Sequence, residues 1–363
     1  MSQVLALHRD EGVEAAWGLA FDEAMAQLAG LPELPFAHLH LYDYADHAVL
    51  VGRYQRLEDE VDLDMALALG VSVNRRPTGG GAILMGREQL GVALAVPVAT
   101  FASPREGMAR FAGGVIAALG ELGVRAELRG KNDIEVEGRK IAGVGFCQSG
   151  DGLLFHASVL VDLDTDLLLS LLRIPLAKLA AHGSRAVEER ITTLATLGVG
   201  REALEQALAA AFSTMLGLEM AEVEGRDCLE RRAAILAEER YGDEAWLFAQ
   251  GAAAAGELSV QLRSSLGMLR VIAATQGDVI KSAVLAGDFN EVTPEMRSFE
   301  EALRWSVLEP GTLERRLASI PGFARLADPA VIAEALCAAH ASRAGAAGPR
   351  RIGSCYIPEE ITL

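Results

Sequence analysis

Lysine is nearly absent from this chain. Its 363 residues include four, Lys131, Lys140, Lys178 and Lys281, and arginine supplies almost all the remaining positive charge. Genomic base composition accounts for such a bias, and it draws attention to each lysine that is retained. Cysteine is also scarce. Cys147, Cys228, Cys337 and Cys355 lie far apart and form no CxxC pair, which excludes a zinc site or a disulfide framework and fits reduced thiols. No uncharged apolar run approaches the ~18–20 residues that span a bilayer. The segment Met1 to Asp10 has no basic stretch followed by an apolar one, so a secretion signal is not expected and a cytoplasmic protein is. Positive charge is in deficit. A formal net charge of −17 argues against general affinity for nucleic acid or anionic membranes.

What is present is apolar. Hydrophobic residues make up 51% of the chain, enough for a sizeable core, and the length suits one large domain plus a smaller one. Ala16 to Leu28 has helical spacing, with Asp22 and Glu23 on its polar face. Leu39 and Leu41 alternate with His38, His40 and Tyr42 in strand fashion, followed by the apolar run Ala48 to Val51. Leu57 to Leu69 and Pro104 to Leu122 read as helices. Strands are expected at 71–75, 90–98, 126–128, 134–136, 140–146 and 153–163, the last two joined by a turn around Gly150. Further helices are expected at 167–172, 202–216 and 227–239. Frequent hairpins favour an α+β fold with a mixed or antiparallel sheet over a doubly wound parallel one. An Ala/Gly-rich stretch at 248–256 marks a boundary. Residues 1–248 form the larger domain, 257–344 a small α+β domain of three strands followed by helices, and 345–363 a tail.

Three segments carry candidate chemistry. Arg75-Arg76-Pro77-Thr78-Gly79-Gly80-Gly81-Ala82 combines basic residues with a glycine triplet. Such a backbone adopts φ > 0, approaches a ligand closely and presents N–H groups to an anion. It also fits a tight structural turn. It is not a P-loop, because no Lys-Ser/Thr pair follows. Lys131-Asn132-Asp133 and Arg139-Lys140-Ile141-Ala142-Gly143 place a lysine at the head of an apolar strand, where a bound anion would be its partner. A surface hairpin with ordinary charges accounts for that segment equally well. His156-Ala157-Ser158 opens a strand whose histidine reads either as a core residue or as a catalytic one.

In this order the three segments resemble the lipoate–protein ligase family, within the biotin/lipoate ligase and octanoyltransferase fold, and the likeness covers nearly the whole chain. The resemblance implies that Arg76, Thr78, Gly79, Gly80, Gly81 and Ala82 form the lipoate-binding loop. It implies that Asn132 and Asp133 are the family's Asn-Asp pair, that Lys140 is the catalytic lysine with Gly143 in its strand, and that His156, Ala157 and Ser158 match its His-Gly-Thr entry. The segments 177–183 and 186–194 resemble the adenylate-binding loop. Gly287-Asp288-Phe289 resembles part of the C-terminal accessory domain of bacterial-type ligases, which is expected to move between the two half-reactions. Met85-Gly86 stands where the family usually carries His-Asp, and a methionine there would pack on an aliphatic or dithiolane tail.

The implied activity is ATP-dependent: lipoate or octanoate is converted to an acyl-adenylate with release of pyrophosphate, then passed to an acceptor lysine. ATP and Mg²⁺ are the implied cofactors, with Asp133 toward the metal and Lys140 bridging the carboxylate and α-phosphate. The implied partner is a lipoyl-acceptor protein, namely an E2 lipoyl domain, a glycine-cleavage H protein or an H-like lipoate-binding protein. It would meet a monomeric enzyme through an arginine patch using Arg185 or Arg190. Two alternatives remain. A cysteine-dependent octanoyl or lipoyl transferase of the same fold needs a thiolate, but 172–176 and 126–130, where relatives place it, contain no cysteine, and Cys147 matches neither position. A non-catalytic lipoyl-binding protein would not need Lys140 or the Asn132-Asp133 pair.

Overall fold

A computed structural model describes residues 4–31, 34–173, 189–222, 226–251 and 257–343. Its strands, in chain order, are β1 (Val4–Val13), β2 (Ala37–Tyr44), β3 (Ala48–Val51), β4 (Ser72–Arg75), β5 (Ile83–Met85), β6 (Gln89–Pro97), β7 (Ala126–Arg129), β8 (Asp133–Val136), β9 (Arg139–Ser149), β10 (Gly152–Leu160), β11 (Glu219–Glu222), β12 (Leu258–Ser264), β13 (Gly267–Gln276) and β14 (Val279–Gly287). Four helices frame the argument: α1 (Ala15–Leu28), α2 (Pro104–Glu121), α3 (Arg201–Leu216) and α4 (Asp227–Leu236).

Eight strands form one mixed sheet in the order β11-β1-β2-β6-β10-β9-β8-β7. Only the β11–β1 and β1–β2 pairs are parallel, and the rest are antiparallel. The chain therefore has the expected α+β class with a mixed sheet. β1 and β11 complete one side of it and were not expected. β1 runs directly into the charged stretch Arg9-Asp10-Glu11, which interrupts its apolar alternation, and β11 is a four-residue edge.

Side chains alternate between the two faces of a strand. Leu39 and Leu41 of β2, with Phe155 and Val159 of β10, face a core closed by α2 and α3. Phe111 of α2 is fully buried there and stacks on Phe155 and Phe212, with ring centroids 5.8 and 5.2 Å away. The opposite face carries Tyr42 and Tyr44 of β2, Cys147 of β9 and Leu154 of β10, covered by α1 and α4. The polar residues of β2 are thus buried too. Asp22 and Glu23 are likewise 0% and 1% exposed, not solvent-facing as their helical position suggested, because Asp22 turns to the sheet, where Tyr42 and His40 meet it, and the segment after α4 covers Glu23. Glu23 receives the Tyr241 hydroxyl at 2.7 Å and pairs with Arg240.

The expected helix over 57–69 is two short helices, Leu57–Glu60 and Leu63–Ala68. Val61 leaves the helix to bridge Leu172, and Asp62 starts the second helix by accepting the Met65 N–H at 3.0 Å. Beside them lies a small sheet, β4-β3-β5, which leads into the glycine triplet.

β12, β13 and β14 form an antiparallel meander. With the helices Phe299–Leu303, Pro310–Ala318 and Pro329–Arg343 it encloses a second core, including Leu269, Phe299, Leu317 and Phe323. Its junction with the larger part is charged. Arg56 pairs with Asp59 at 2.7 Å and with Glu257. Arg270 lies 3.4 Å from Asp59 and 3.5 Å from Glu60. Burial pushes the Glu60 carboxyl up to about 7.

Two outcomes are expected. Phe111→Ala removes a fully buried ring and should cost roughly 3–5 kcal/mol in urea unfolding. Glu60 holds a proton in the folded chain that the unfolded chain has already lost. Stability should therefore fall as pH rises from its ordinary 4.5 toward about 7. Glu60→Gln should flatten that fall in melting curves recorded across the same window.

Candidate active site

An open pocket lies between the main sheet, the glycine loop and β5. Its floor comes from paired positions of two antiparallel strands. His156 faces Gly145 and Ser158 faces Gly143 across the β10–β9 register. The glycines leave room above the sheet where other residues would fill it.

The glycine loop forms the opposite wall. Gly80 has φ +92°, a conformation that suits glycine. The loop is shaped by two buried arginines. Arg75 is 0% exposed and donates to the carbonyls of Gly52, Arg53 and Gln55 at 2.8, 3.0 and 2.7 Å and to those of Trp246 and Leu247. Burial and the neighbouring Arg76 push its guanidinium down to about 10. Arg76 donates to Leu50, Gly79 and Gly81 carbonyls at 2.9, 2.7 and 2.7 Å. Arg75 is thus spent on backbone carbonyls, while Arg76 both braces the loop and lines the pocket.

Lys140 enters from the start of β9. Its Nζ lies 2.7 Å from Asp133 Oδ1, with 13% of the side chain exposed. Its backbone is locked to the segment that follows 174–188: Lys140 N–H donates to the Arg190 carbonyl and Thr192 N–H to the Lys140 carbonyl, each at 2.8 Å. The expected adenylate-loop residues 177–183 and 186–188, and Arg185, lie outside the described residues. Arg190 is part-exposed beside Lys140.

Among the residues singled out from sequence, Arg76, Thr78, Gly79, Gly81, Asn132, Lys140, Gly143, His156, Ala157 and Ser158 line this one pocket. Three do not. Ala82 is 5% exposed and packs into the core around Val49, Val51 and Leu84. Gly80 turns its N–H to the Phe289 carbonyl at 3.4 Å. Asp133 stands behind Lys140 as its ion-pair partner. Met85 does line the pocket, and its sulfur accepts the Ser158 hydroxyl at 3.0 Å.

Sequence reasoning missed the groups beneath His156. His156 Nε2 lies 3.0 Å from Asp22 Oδ2, and His156 Nδ1 lies 3.3 Å from Thr78 Oγ1. Asp22 also accepts the Tyr42 hydroxyl at 2.8 Å and faces His40 Nδ1 at 2.7 Å. Although burial alone would raise it, hydrogen bonds from His156 and His40 hold the Asp22 carboxyl below the usual range. The signal was available in the alternation of His38, His40 and Tyr42, which places three polar groups on one strand face.

No thiol serves the pocket among the described residues. Cys147 is buried in the α1 core, where burial and the nearby Glu23 carboxylate push it up to about 12. Cys228 and Cys337 are elsewhere, and Cys355 lies outside the described residues.

Residues 14–213 match the lipoyl protein ligase A/B catalytic domain. This chain belongs to that family. Octanoyltransferase LipM of Symbiobacterium thermophilum is 31% identical over 262 residues, covering 63% of this chain and 92% of that protein. Lipoate-protein ligase A subunit 1 of Thermoplasma acidophilum is 27% identical over 238 residues, covering 63% and 90%. Among solved structures, the bipartite lipoate protein ligase of T. acidophilum, described with its E2 lipoyl domain, superposes with a TM-score of 0.62 at 25% identity, covering 70% of this chain and 99% of that one. A lipoate-protein ligase A bound with ATP gives 0.57 at 26%, covering 68% and 99%. LipL1 of P. falciparum, in complex with lipoate, gives 0.67 at 14%, covering 87% and 94%. That likeness concerns fold alone and extends beyond the part the other two structures cover. The chain is thus an enzyme of the lipoate ligase and transferase family. No described helix is long and apolar enough to cross a membrane.

The accessory part touches the loop directly. Phe289 stacks on Tyr54 with centroids 4.8 Å apart, and Gly287 N–H donates to the Tyr54 carbonyl at 2.9 Å. A Cβ on Gly79 would stand 2.1 Å from the Phe289 carbonyl oxygen and 2.6 Å from Asn290 Cα. Gly79→Ala should therefore dislodge segment 287–290, read as faster amide exchange in that segment with the main sheet still protected. Unchanged exchange there would refute the contact.

Proposed function

We propose that this chain is an ATP-dependent lipoate–protein ligase. It would join lipoate or octanoate to AMP with release of pyrophosphate, then pass the acyl group to a lysine of a lipoyl-acceptor protein. The observation that carries this reading is the pocket itself, which presents the Lys140 ammonium between glycine loop and sheet and, among the described residues, presents no thiol.

In the first step a carboxylate oxygen forms a bond to the α-phosphorus of ATP, and the bond to pyrophosphate breaks with its electron pair. Two anions must meet, so cationic groups and loop N–H donors are needed where charge builds up. Lys140 is placed for that, with Arg76 and the Gly81 backbone beside it. Asn132, Thr78 and Ser158 offer polar atoms, while Leu19, Leu50, Ile83, Met85 and Leu160 supply the apolar lining that an acyl tail requires. Mg²⁺ bound with a nucleotide takes one or two protein carboxylates and fills its remaining positions with phosphate and water oxygens. Asp133, 28% exposed and paired with Lys140, is the carboxylate that would take that role, exchanging its ammonium partner for the cation. Acceptors of the E2 lipoyl-domain, H-protein or H-like class remain the expected partners, and the T. acidophilum ligase described with its E2 lipoyl domain supports the first.

A second reading has support as well, since octanoyltransferases of the LipM type are among the relatives that match over most of their length. In that reading the acyl group comes from a thioester and needs an enzyme thiolate. The buried, unionised Cys147 thiol counts against it.

Purified protein with lipoate, Mg-ATP and an apo acceptor domain should add one lipoyl mass to the acceptor. Lys140→Ala should reduce the rate at least about 100-fold, and Cys147→Ser should leave it within a factor of about three. Transfer from an octanoyl-carrier thioester without ATP, abolished in Cys147→Ser, would establish the transferase instead.

A further inference from the structure

Beneath the pocket a line of polar side chains runs through the α1 face of the sheet. It begins at His156 in the pocket wall and passes to Asp22 at 3.0 Å, to His40 at 2.7 Å and to Asp10 at 3.1 Å. Arg226 closes the line at 2.7 Å from Asp10, where both side chains reach solvent. Asp22 and His40 are wholly buried. Apolar residues would fill this space without the cost of desolvating a carboxylate. Asp22 nevertheless accepts from Tyr42 and faces two imidazole nitrogens, His40 Nδ1 at 2.7 Å and His156 Nε2 at 3.0 Å.

This arrangement orients one imidazole. With its Nε2 side turned to Asp22, His156 presents Nδ1 toward Thr78 Oγ1 and the pocket. The other ionisable groups lining the pocket are poor acceptors. Arg76 and Lys140 are donors. The Tyr42 hydroxyl is committed to Asp22. We propose that His156, aligned by Asp22, is the base that accepts a proton from the acceptor lysine during acyl transfer. Thr78 Oγ1 holds the place on Nδ1 that the incoming nitrogen takes.

The proton count requires such a group. An acceptor lysine goes from ammonium to amide and loses two protons. The first passes to water before attack. The amine nitrogen then bonds to the acyl carbonyl carbon, and His156 Nδ1 takes the second proton from that nitrogen. The bond from the carbonyl carbon to the AMP oxygen breaks, and its electron pair leaves with AMP. Asp22 stabilises the imidazolium so formed, and His40 and Asp10 hold Asp22 in place as positioning residues. This assignment rests on the acyl-adenylate reading above.

The test bypasses the first half-reaction. Synthetic lipoyl-adenylate and an apo acceptor domain are mixed with the full-length protein, and single-turnover transfer is followed across pH. Wild-type rate should rise with pH through one ionisation. The groups facing His156 are Asp22 from α1, Tyr42 from β2, Arg76 and Thr78 from the loop and Lys140 from β9. His156→Gln should slow transfer about 100-fold and abolish the ionisation. Asp22→Asn should slow it about 10-fold and displace the ionisation. A His156→Gln rate within threefold of wild type, with the same pH profile, overturns the assignment alone. Should that variant fail to fold, the solvent deuterium isotope effect on wild-type transfer decides, and its absence overturns the assignment. A wild-type protein that does not use lipoyl-adenylate at all overturns the ligase reading and this assignment with it.

Discussion

Two adjacent guanidinium groups, Arg75 and Arg76, sit inside the protein and donate to backbone carbonyls. Guanidinium stays charged in proteins, so its burial is tolerable only when its N–H groups are spent. Here the carbonyls come from three places: the end of β3 and the turn after it, the glycine triplet, and the Trp246-Leu247 turn. One pair of side chains therefore fixes the loop against both the small sheet and a segment some 170 residues away. The Trp246 indole completes the link by donating to the Arg75 carbonyl at 2.8 Å. Lysine could not replace either residue, since an ammonium has three donors on one atom and cannot fork between separated carbonyls.

Because the loop is held from behind, its front can be shared. The Phe289 carbonyl occupies the Gly80 N–H, and the Phe289 backbone lies where any Cβ on Gly79 would be. The residue types of the triplet are thus explained twice, by the loop's own turn at Gly80 and by the close approach of the accessory part at Gly79. An anion seeking the Gly80 amide would compete with Phe289. The contact between the accessory part and the loop at this point is one hydrogen bond, long at 3.4 Å.

Legibility from sequence followed how local each signal was. The hairpin β9–β10, helix α2 with Pro104 in its first turn, and the β12–β13–β14 meander rest on turn residues and periodicity within about 20 positions, and they appear close to the expected limits. β1 escaped because its pairing partners, β2 and β11, are remote and its far half is charged. The gathering of Arg76, Thr78, Asn132, Lys140 and His156 around one pocket followed from motif order. What each arginine does there did not, because carbonyl partners leave no trace in composition. Asp22 was misplaced on a polar face, since helical periodicity reports an apolar stripe but cannot show that polar side chains of the sheet, Tyr42 and His40, will receive a carboxylate turned toward them.

The relation between ligase and transferase on this fold turns on few atoms. Both chemistries need an apolar slot and room for an acceptor, so overall likeness to octanoyltransferases and to ligases carries equal weight. The difference is the leaving group and whether the enzyme must hold the acyl chain covalently. A thiolate that does so must be exposed to the substrate and stabilised as an anion. Cys147 faces the opposite conditions: it is packed among Leu154, Ala95 and α1, and the Glu23 carboxylate disfavours a second negative charge beside it. Moving the thiol to the pocket would require rebuilding the α1 core, whereas Lys140 already stands at the pocket with its partner in place. The local electrostatics, more than the family likeness, therefore favours direct activation of a carboxylate.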